Sequence, residues 1–213
     1  MRAVLQRVVQ ASVDVNGQQI SKIGQGLCVL IGLSVSDTTA DLDYMVKKLL
    51  SVKVFDSQTV AEGETADLST PNKGWAKSVV DIGGEILCVS QFTLYGHVLK
   101  GSKPDFHQSM KSDTSRAMYH DFLERLRKAY KAEKIKDGEF GAMMLVNIAN
   151  DGPVTLELDS RKFEYLPTTP DPKAAKKAIH AVAKKGGIDS KLGTQQSTPV
   201  LAPATLADST DKP

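Results

Sequence analysis

Two short runs concentrate the side chains that could do chemistry. Ser90-Gln91-Phe92-Thr93 closes one apolar stretch, and Asn150-Asp151-Gly152-Pro153-Val154-Thr155 interrupts another. Hydroxyls and amides at the end of a buried strand can orient a polar substrate, although strand ends and an Asn-Asp-Gly-Pro turn also have a plain structural use. The usual hydrolytic and nucleotide-binding signatures are missing: the chain has no GxSxG elbow, no HExxH, no P-loop and no GxGxxG. His97, His107, His120 and His180 show no metal-ligand spacing with a carboxylate. No His or Lys has a clear claim to activate Thr93, and an unactivated threonine hydroxyl is a poor nucleophile.

The elements that must position these runs are legible from periodicity. Asn16-Gly17 supplies the positive φ values of a tight hairpin, so strands are expected over about 3–15 and 18–26. Residues 27–33 are continuously apolar and predict a central strand covered on both faces. Caps and acids at 36–41, followed by Leu42, Met45, Val46, Leu49 and Leu50, predict a first helix. A short strand is expected at 52–55, then a long polar loop over 56–74. Strands are expected at 78–82 and from Glu85 to Leu94, with a turn at Gly83-Gly84. After a loop over 96–111, Met118, Phe122, Leu126 and Ala129 predict a second helix from about 112 to 132. Residues 140–158 read as two strand-like runs separated at Asn150 to Pro153, because proline cannot donate to a sheet ladder.

Composition divides the 213 residues unevenly. Hydrophobic content of 41% and charged content of 24% are those of a globular chain, with no apolar run long enough to suggest a membrane span. The opening residues lack the apolar stretch of a secretory signal, so a cytoplasmic location is expected. Cys28 and Cys88 lie in apolar strands without CxxC spacing and are expected to be buried, reduced thiols. Of the net charge of +2, residues 166–213 carry +3 through seven Lys and four Asp, which leaves −1 for residues 1–165. Past Tyr165 the chain is rich in Pro, Thr, Ala, Lys and Ser and has no aromatic residue, a composition that predicts disorder. A folded domain over 1–165 and a tail over 166–213 are therefore expected. Lys173, Lys176, Lys177, Lys184 and Lys185, with no acid between the first and the last, could make weak, salt-sensitive contacts with nucleic acid.

The two polar runs together resemble the signatures of the D-aminoacyl-tRNA deacylases, SQ-F-T-L and N-x-G-P-V-T. The resemblance extends to Met1-Arg2-Ala3-Val4-Leu5-Gln6-Arg7, to Lys100-Gly101-Ser102-Lys103-Pro104-Asp105-Phe106, and, for the eukaryotic branch, to Trp75-Ala76-Lys77-Ser78-Val79. It spans roughly residues 1–160. The 56–74 loop, longer and more acidic than usual, and the tail depart from the compact bacterial pattern.

The resemblance implies an α/β fold: a curved, barrel-like β-sheet with two main helices, paired as a homodimer. It implies hydrolysis of the ester joining a D-amino acid to tRNA, and of glycine mischarged on tRNA-Ala, with no metal or organic cofactor. Backbone amides around Phe92 and Thr93 would stabilise the oxyanion. Ser90 and Gln91 would position substrate and Phe92 would shape the pocket; Thr93 would be either the nucleophile or a positioning group, and the absence of a base to activate it favours positioning. A cis Gly152-Pro153 turn, braced by Arg7 through main-chain contacts and set between Asn150 and Thr155, would enter the partner's site and reject L side chains. Two other readings stand beside this one. One is a nucleic-acid-binding protein acting through its basic tail. The other is a related deacylase that edits L-alanine, against which the intact Gly-Pro run argues.

Overall fold

The computed structural model describes residues 1–61, 63–99 and 101–161. The tail, its lysine run and the expected boundary at residue 165 lie outside the described residues. β1 (Arg2–Val15) and β2 (Gln18–Ile23) form the first hairpin, with Asn16 at φ 52° and Gly17 at φ 79° making the turn. β3 (Gly26–Gly32), α1 (Thr39–Ser51) and β4 (Glu85–Ser90) follow. Then come a 3-10 turn (Phe92–Tyr95), α2 (Ser112–Ala129), a short 3-10 turn (Ala132–Lys134), β5 (Ile135–Asp137) and β6 (Met144–Asp159).

The strands form one mixed sheet in the order β2-β1-β3-β4-β5, with β6 on the other side of β1. β1 organises it. Along one edge it pairs first with β3 and then with β2, and along the other it pairs antiparallel with β6 for nearly its whole length. The β3–β4 and β4–β5 pairs are parallel. This long, bent central strand curves the sheet into the expected barrel-like form with two helices.

The sheet buries both faces, which is why β3 and β4 read as unbroken apolar runs. Side chains alternate across a strand. Val29, Ile31, Ile86 and Cys88 accordingly pack under the helices with Leu42, Met45, Leu49, Phe122 and Leu126. Cys28, Leu87 and Val89 face the other way, into a second apolar cluster with Val8, Ala11 and Val13. Both cysteines are free and buried, and burial pushes the Cys28 thiol up to about 11 and the Cys88 thiol higher still. α1 begins where Asp41 Oδ2 accepts bonds from the N–H and hydroxyl of Thr38, at 2.8 and 2.9 Å. No helix among the described residues is long and apolar enough to cross a membrane.

Five local expectations need correction. Residues 78–82 form a turn, because Asp81 Oδ2 takes both the N–H and the hydroxyl of Ser78 at 2.8 Å and competes with a sheet ladder. Residues 52–55 contribute only an isolated bridge, Phe55 to Lys77. β4 stops at Ser90, and the four residues Phe92–Tyr95 coil. α2 ends at Ala129 rather than 132, where Tyr130 turns extended and its hydroxyl donates to the Gly84 carbonyl at 3.1 Å. β6 is one strand, and the Asn-Asp-Gly-Pro segment bulges out of it.

Candidate active site

The turn after β4 is built to leave amides free. Gln91 N–H donates to the Ile31 carbonyl at 2.6 Å, which ties the turn to β3, and Gly96 N–H closes it on the Thr93 carbonyl at 2.9 Å. The first N–H groups of any helical turn have no partner within it. Here the amides of Phe92 and Thr93 have no acceptor among the described residues. The turn lies close against β3: a Cβ on Gly32 would sit 3.0 Å from Leu94 Cβ and 3.1 Å from the Gln91 carbonyl oxygen. Glycine at that position permits the approach.

Beside the turn lies a cavity of about 430 Å³, whose lining includes Ser90, Gln91, Phe92, Phe106, Tyr119 and Phe140. Phe92 stands 57% exposed at its mouth and packs edge-on against Phe106, with ring centroids 5.1 Å apart. Gln91 Nε2 donates to Thr93 Oγ1. That donor draws electron density from the hydroxyl, the opposite of what a nucleophile needs. Tyr119 forms part of the wall, and burial pushes its phenol well above the ordinary range. Among the described residues no three His, Cys, Asp or Glu side chains are grouped to hold a metal ion.

The second polar run has a different construction. Gln6 pairs with Thr155 and Val8 with Asn150, so the single residue Arg7 faces residues 151–154. The surplus is expelled as a bulge. Its neck is tied by Asn150, whose Nδ2 donates to the carbonyls of Arg7 (2.7 Å) and Val154 (3.0 Å). Asn150 Oδ1 accepts from the Thr155 hydroxyl at 3.2 Å. Arg7 Nη1 donates to the Val54 carbonyl at 2.6 Å, and Nε lies 2.9 Å from Asp151 Oδ2 without its N–H being aligned on that oxygen. The guanidinium thus meets the turn at a side chain, and its main-chain contact is with Val54. At the tip, Gly152 has φ 108°, the Gly152-Pro153 peptide bond is cis, and both residues are exposed.

Ser90, Gln91 and Phe92 therefore meet at the cavity, with Thr93 on the same turn. Arg7, Asn150, Gly152, Pro153 and Thr155 meet at the bulge. Within one chain, Gly152 and Pro153 are not among the cavity's walls. Sequence reasoning did not identify the aromatic walls Tyr119 and Phe140. Both look like ordinary core residues until α2 and the approach to β6 are folded together. Nor did it find Asp151 as the partner of Arg7.

Comparison with known proteins decides the family. The model of the D-Tyr-tRNA(Tyr) deacylase family matches residues 4–159. The chain belongs to that family. It is 53% identical over 160 residues to human D-aminoacyl-tRNA deacylase 1, covering 75% of this chain and 70% of that protein. The Danio rerio protein of the same name is 44% identical over 208 residues, covering 98% of this chain and 92% of its own length. The solved structure of a protein called c-Myc DNA Unwinding Element Binding Protein is 54% identical, with a TM-score of 0.66, and covers 75% of this chain and 98% of that one. Both polar runs lie inside the matched region of the family.

Proposed function

We propose that the turn at Phe92–Tyr95 and its cavity carry out ester hydrolysis, and that the bulge at Gly152-Pro153 decides which ester is accepted. The chain is a hydrolase of the ester bond of D-aminoacyl-tRNA, as its family is. Water adds to the ester carbonyl, the bond to the ribose oxygen breaks, and a free D-amino acid and a tRNA with its terminal hydroxyl are released. An aminoacyl ester is already activated, so orientation and charge stabilisation suffice without a catalytic triad.

The observation that carries this reading is the pair of unpartnered amides on Phe92 and Thr93 beside a cavity. Two N–H groups held by a packed turn are the donors an oxyanion requires, each worth about 10²–10³ in rate. The aromatic walls suit the flat terminal adenine, since bases stack on such rings. Ser90 and Gln91 position the ester and Thr93 is held by Gln91, which leaves the neighbouring ribose hydroxyl to relay a proton from the attacking water to the departing ribose oxygen.

Selectivity is assigned to the second turn. Its exposed tip, absent from the walls of its own cavity, fits insertion into a second copy. β6 supports such a partner: it is an edge strand with exposed Met143 and Leu145 beside Met144, Val146, Leu156 and Leu158, which are only partly buried. Long apolar edges of this kind are ordinarily covered. Backbone oxygens at the tip would exclude an L side chain and accept a D side chain or glycine, including glycine mischarged on tRNA-Ala. The test is deacylation of D-tyrosyl-, glycyl- and L-tyrosyl-tRNA side by side. Cleavage of the first two with sparing of the third is expected, and cleavage of all three at similar rates contradicts the gate.

The likeness to a protein named for binding a DNA unwinding element favours a second reading, nucleic-acid binding, for which the basic tail is the candidate arm. Removing residues 167–213 separates the two. Deacylation is expected to survive, and its loss would make the tail part of the main activity.

A further inference from the structure

The amide-bearing turn has an anchor that lies in neither of the two polar runs. Arg2, the first residue of β1, sends Nη1 to the Leu94 carbonyl at 3.0 Å. Its Nε lies 3.2 Å from Asp159 Oδ2 at the end of β6, and its guanidinium carbon stands 4.7 Å above the ring of Tyr95. The side chain is 32% exposed and Asp159 is 6% exposed, so the network is shielded from water. Three contacts thus hold one planar group in place, which is the use to which arginine's fork is suited.

A carbonyl at the end of a four-residue turn has no donor within the turn. Without one, the peptide planes of so short a coil can rock, and the N–H vectors rock with them. Gln91 N–H on Ile31 fixes where the turn begins, and the close approach at Gly32 fixes its depth. The bond from Arg2 fixes the orientation of its far end. Tyr95 does not supply that bond: its buried hydroxyl makes no hydrogen bond among the described residues.

We propose that Arg2 is a positioning residue for deacylation, locking the 92–95 turn so that the amides of Phe92 and Thr93 hold the orientation the oxyanion needs. This rests on the reading of those amides given above. Arg2 acts through the turn, so its loss slows the chemical step and leaves binding of tRNA and discrimination against L-aminoacyl esters intact.

The experiment is single-turnover deacylation of D-tyrosyl-tRNA by the full chain, with Arg2→Met, Arg2→Lys and Phe92→Pro compared and folding checked by thermal melting. In Arg2→Met the rate at saturating enzyme is expected to fall about tenfold, the scale of a donor held loosely rather than removed, with half-saturation within about twofold. Arg2→Lys restores a charge to the Leu94 carbonyl and is expected to recover part of that loss. An unchanged rate in Arg2→Met overturns the proposal, as does a loss expressed only in half-saturation, or equal losses in Met and Lys variants. If Arg2→Met does not fold, Asp159→Asn takes its place: it weakens the clamp on Nε and is expected to slow the rate severalfold, and a wild-type rate overturns the proposal. Phe92→Pro removes one amide of the pair. If it stays fully active the amide reading itself fails, whereas an inactive Phe92→Pro beside a wild-type Arg2→Met sinks the role of Arg2 alone.

Discussion

The turn at Phe92–Tyr95 and the bulge at 151–154 are each gripped by an arginine of the same strand, yet they are built to opposite ends. Arg2 and Arg7 are five residues apart, an odd spacing that sends side chains of a regular strand to opposite faces. Arg2 holds a coil packed on β3 and shielded by Asp159 and Tyr95. Arg7 holds a loop whose tip is in the open, with an Asp151 partner that is itself 40% exposed. The first bond is charge-assisted and half-buried, worth about 1.5–3 kcal/mol. The second is an ion pair near solvent, worth about 1 kcal/mol or less. The proposed division of labour gives rate to the packed turn and selectivity to the projecting one, so that each could be altered without the other.

The sharpest break of that comparison is Phe92→Pro. Proline is tolerated at the start of a helical turn but has no N–H, so the single-turnover rate on D-tyrosyl-tRNA is expected to fall about 10²–10³-fold. Gly152→Ala addresses the other turn. Its Cβ would sit 3.0 Å from Val154 Cγ2 and 3.1 Å from Arg7 Nη2, on a backbone at φ 108° that L side chains rarely adopt. The bulge must shift, and the ratio of D- to L-tyrosyl-tRNA cleavage is expected to drop by about tenfold or more, read in paired deacylation assays.

Arg7→Met should act in the same direction and less strongly, lowering that ratio by roughly threefold to fivefold, because Asn150 still ties the neck. Unchanged discrimination would remove Arg7 from the gate. Thr93→Ala is expected to keep its rate within about threefold of wild type, since one neutral hydrogen bond is at stake. Abolition of single-turnover activity would instead restore the nucleophile. The smallest effect concerns acid. The backbone N–H and then the ring of His107 hold the Asp105 carboxyl below its ordinary range, in the loop that carries Phe106 to Phe92. A depressed carboxyl contributes stability above its unfolded value of about 3.9 and loses it as pH falls through the lower folded value. The Phe92–Phe106 contact, followed by NMR, should therefore persist at pH 5 and weaken only below about pH 4.

How much of this was legible beforehand divides along the same line. The Asn16-Gly17 hairpin, β3 and α1 are local patterns, and periodicity with turn chemistry was enough for them. The two polar runs were visible as runs, and the family likeness gave them meaning. The bulge was not visible: Asn-Asp-Gly-Pro reads as a break, and only pairing with Arg7 on β1, about 145 residues away, turns it into an excursion within one strand. β5 is three residues, Ile-Lys-Asp, too short to leave a period. The cavity draws walls from β3, β4, the 3-10 turn, α2 and Phe140, so no local window contains it. Arg2 looked like any charged residue at the start of a strand until Leu94 and Asp159 were placed around it.

The central claim, that one turn sets the rate while the other sets selectivity for a partner's cavity, can be tested by mixing chains. A Gly152→Ala chain keeps a working cavity and lacks a gate, and a Phe92→Pro chain keeps its gate and lacks a working cavity. In a mixed dimer, the intact cavity of the first would receive the intact bulge of the second. Titrating excess Phe92→Pro chain into Gly152→Ala chain, with L-tyrosyl-tRNA cleavage as the readout, is expected to suppress L-cleavage while D-tyrosyl-tRNA is still hydrolysed. If L-cleavage per Gly152→Ala chain is unchanged at every ratio, although the chains exchange, the gate does not act across the dimer and the account is wrong.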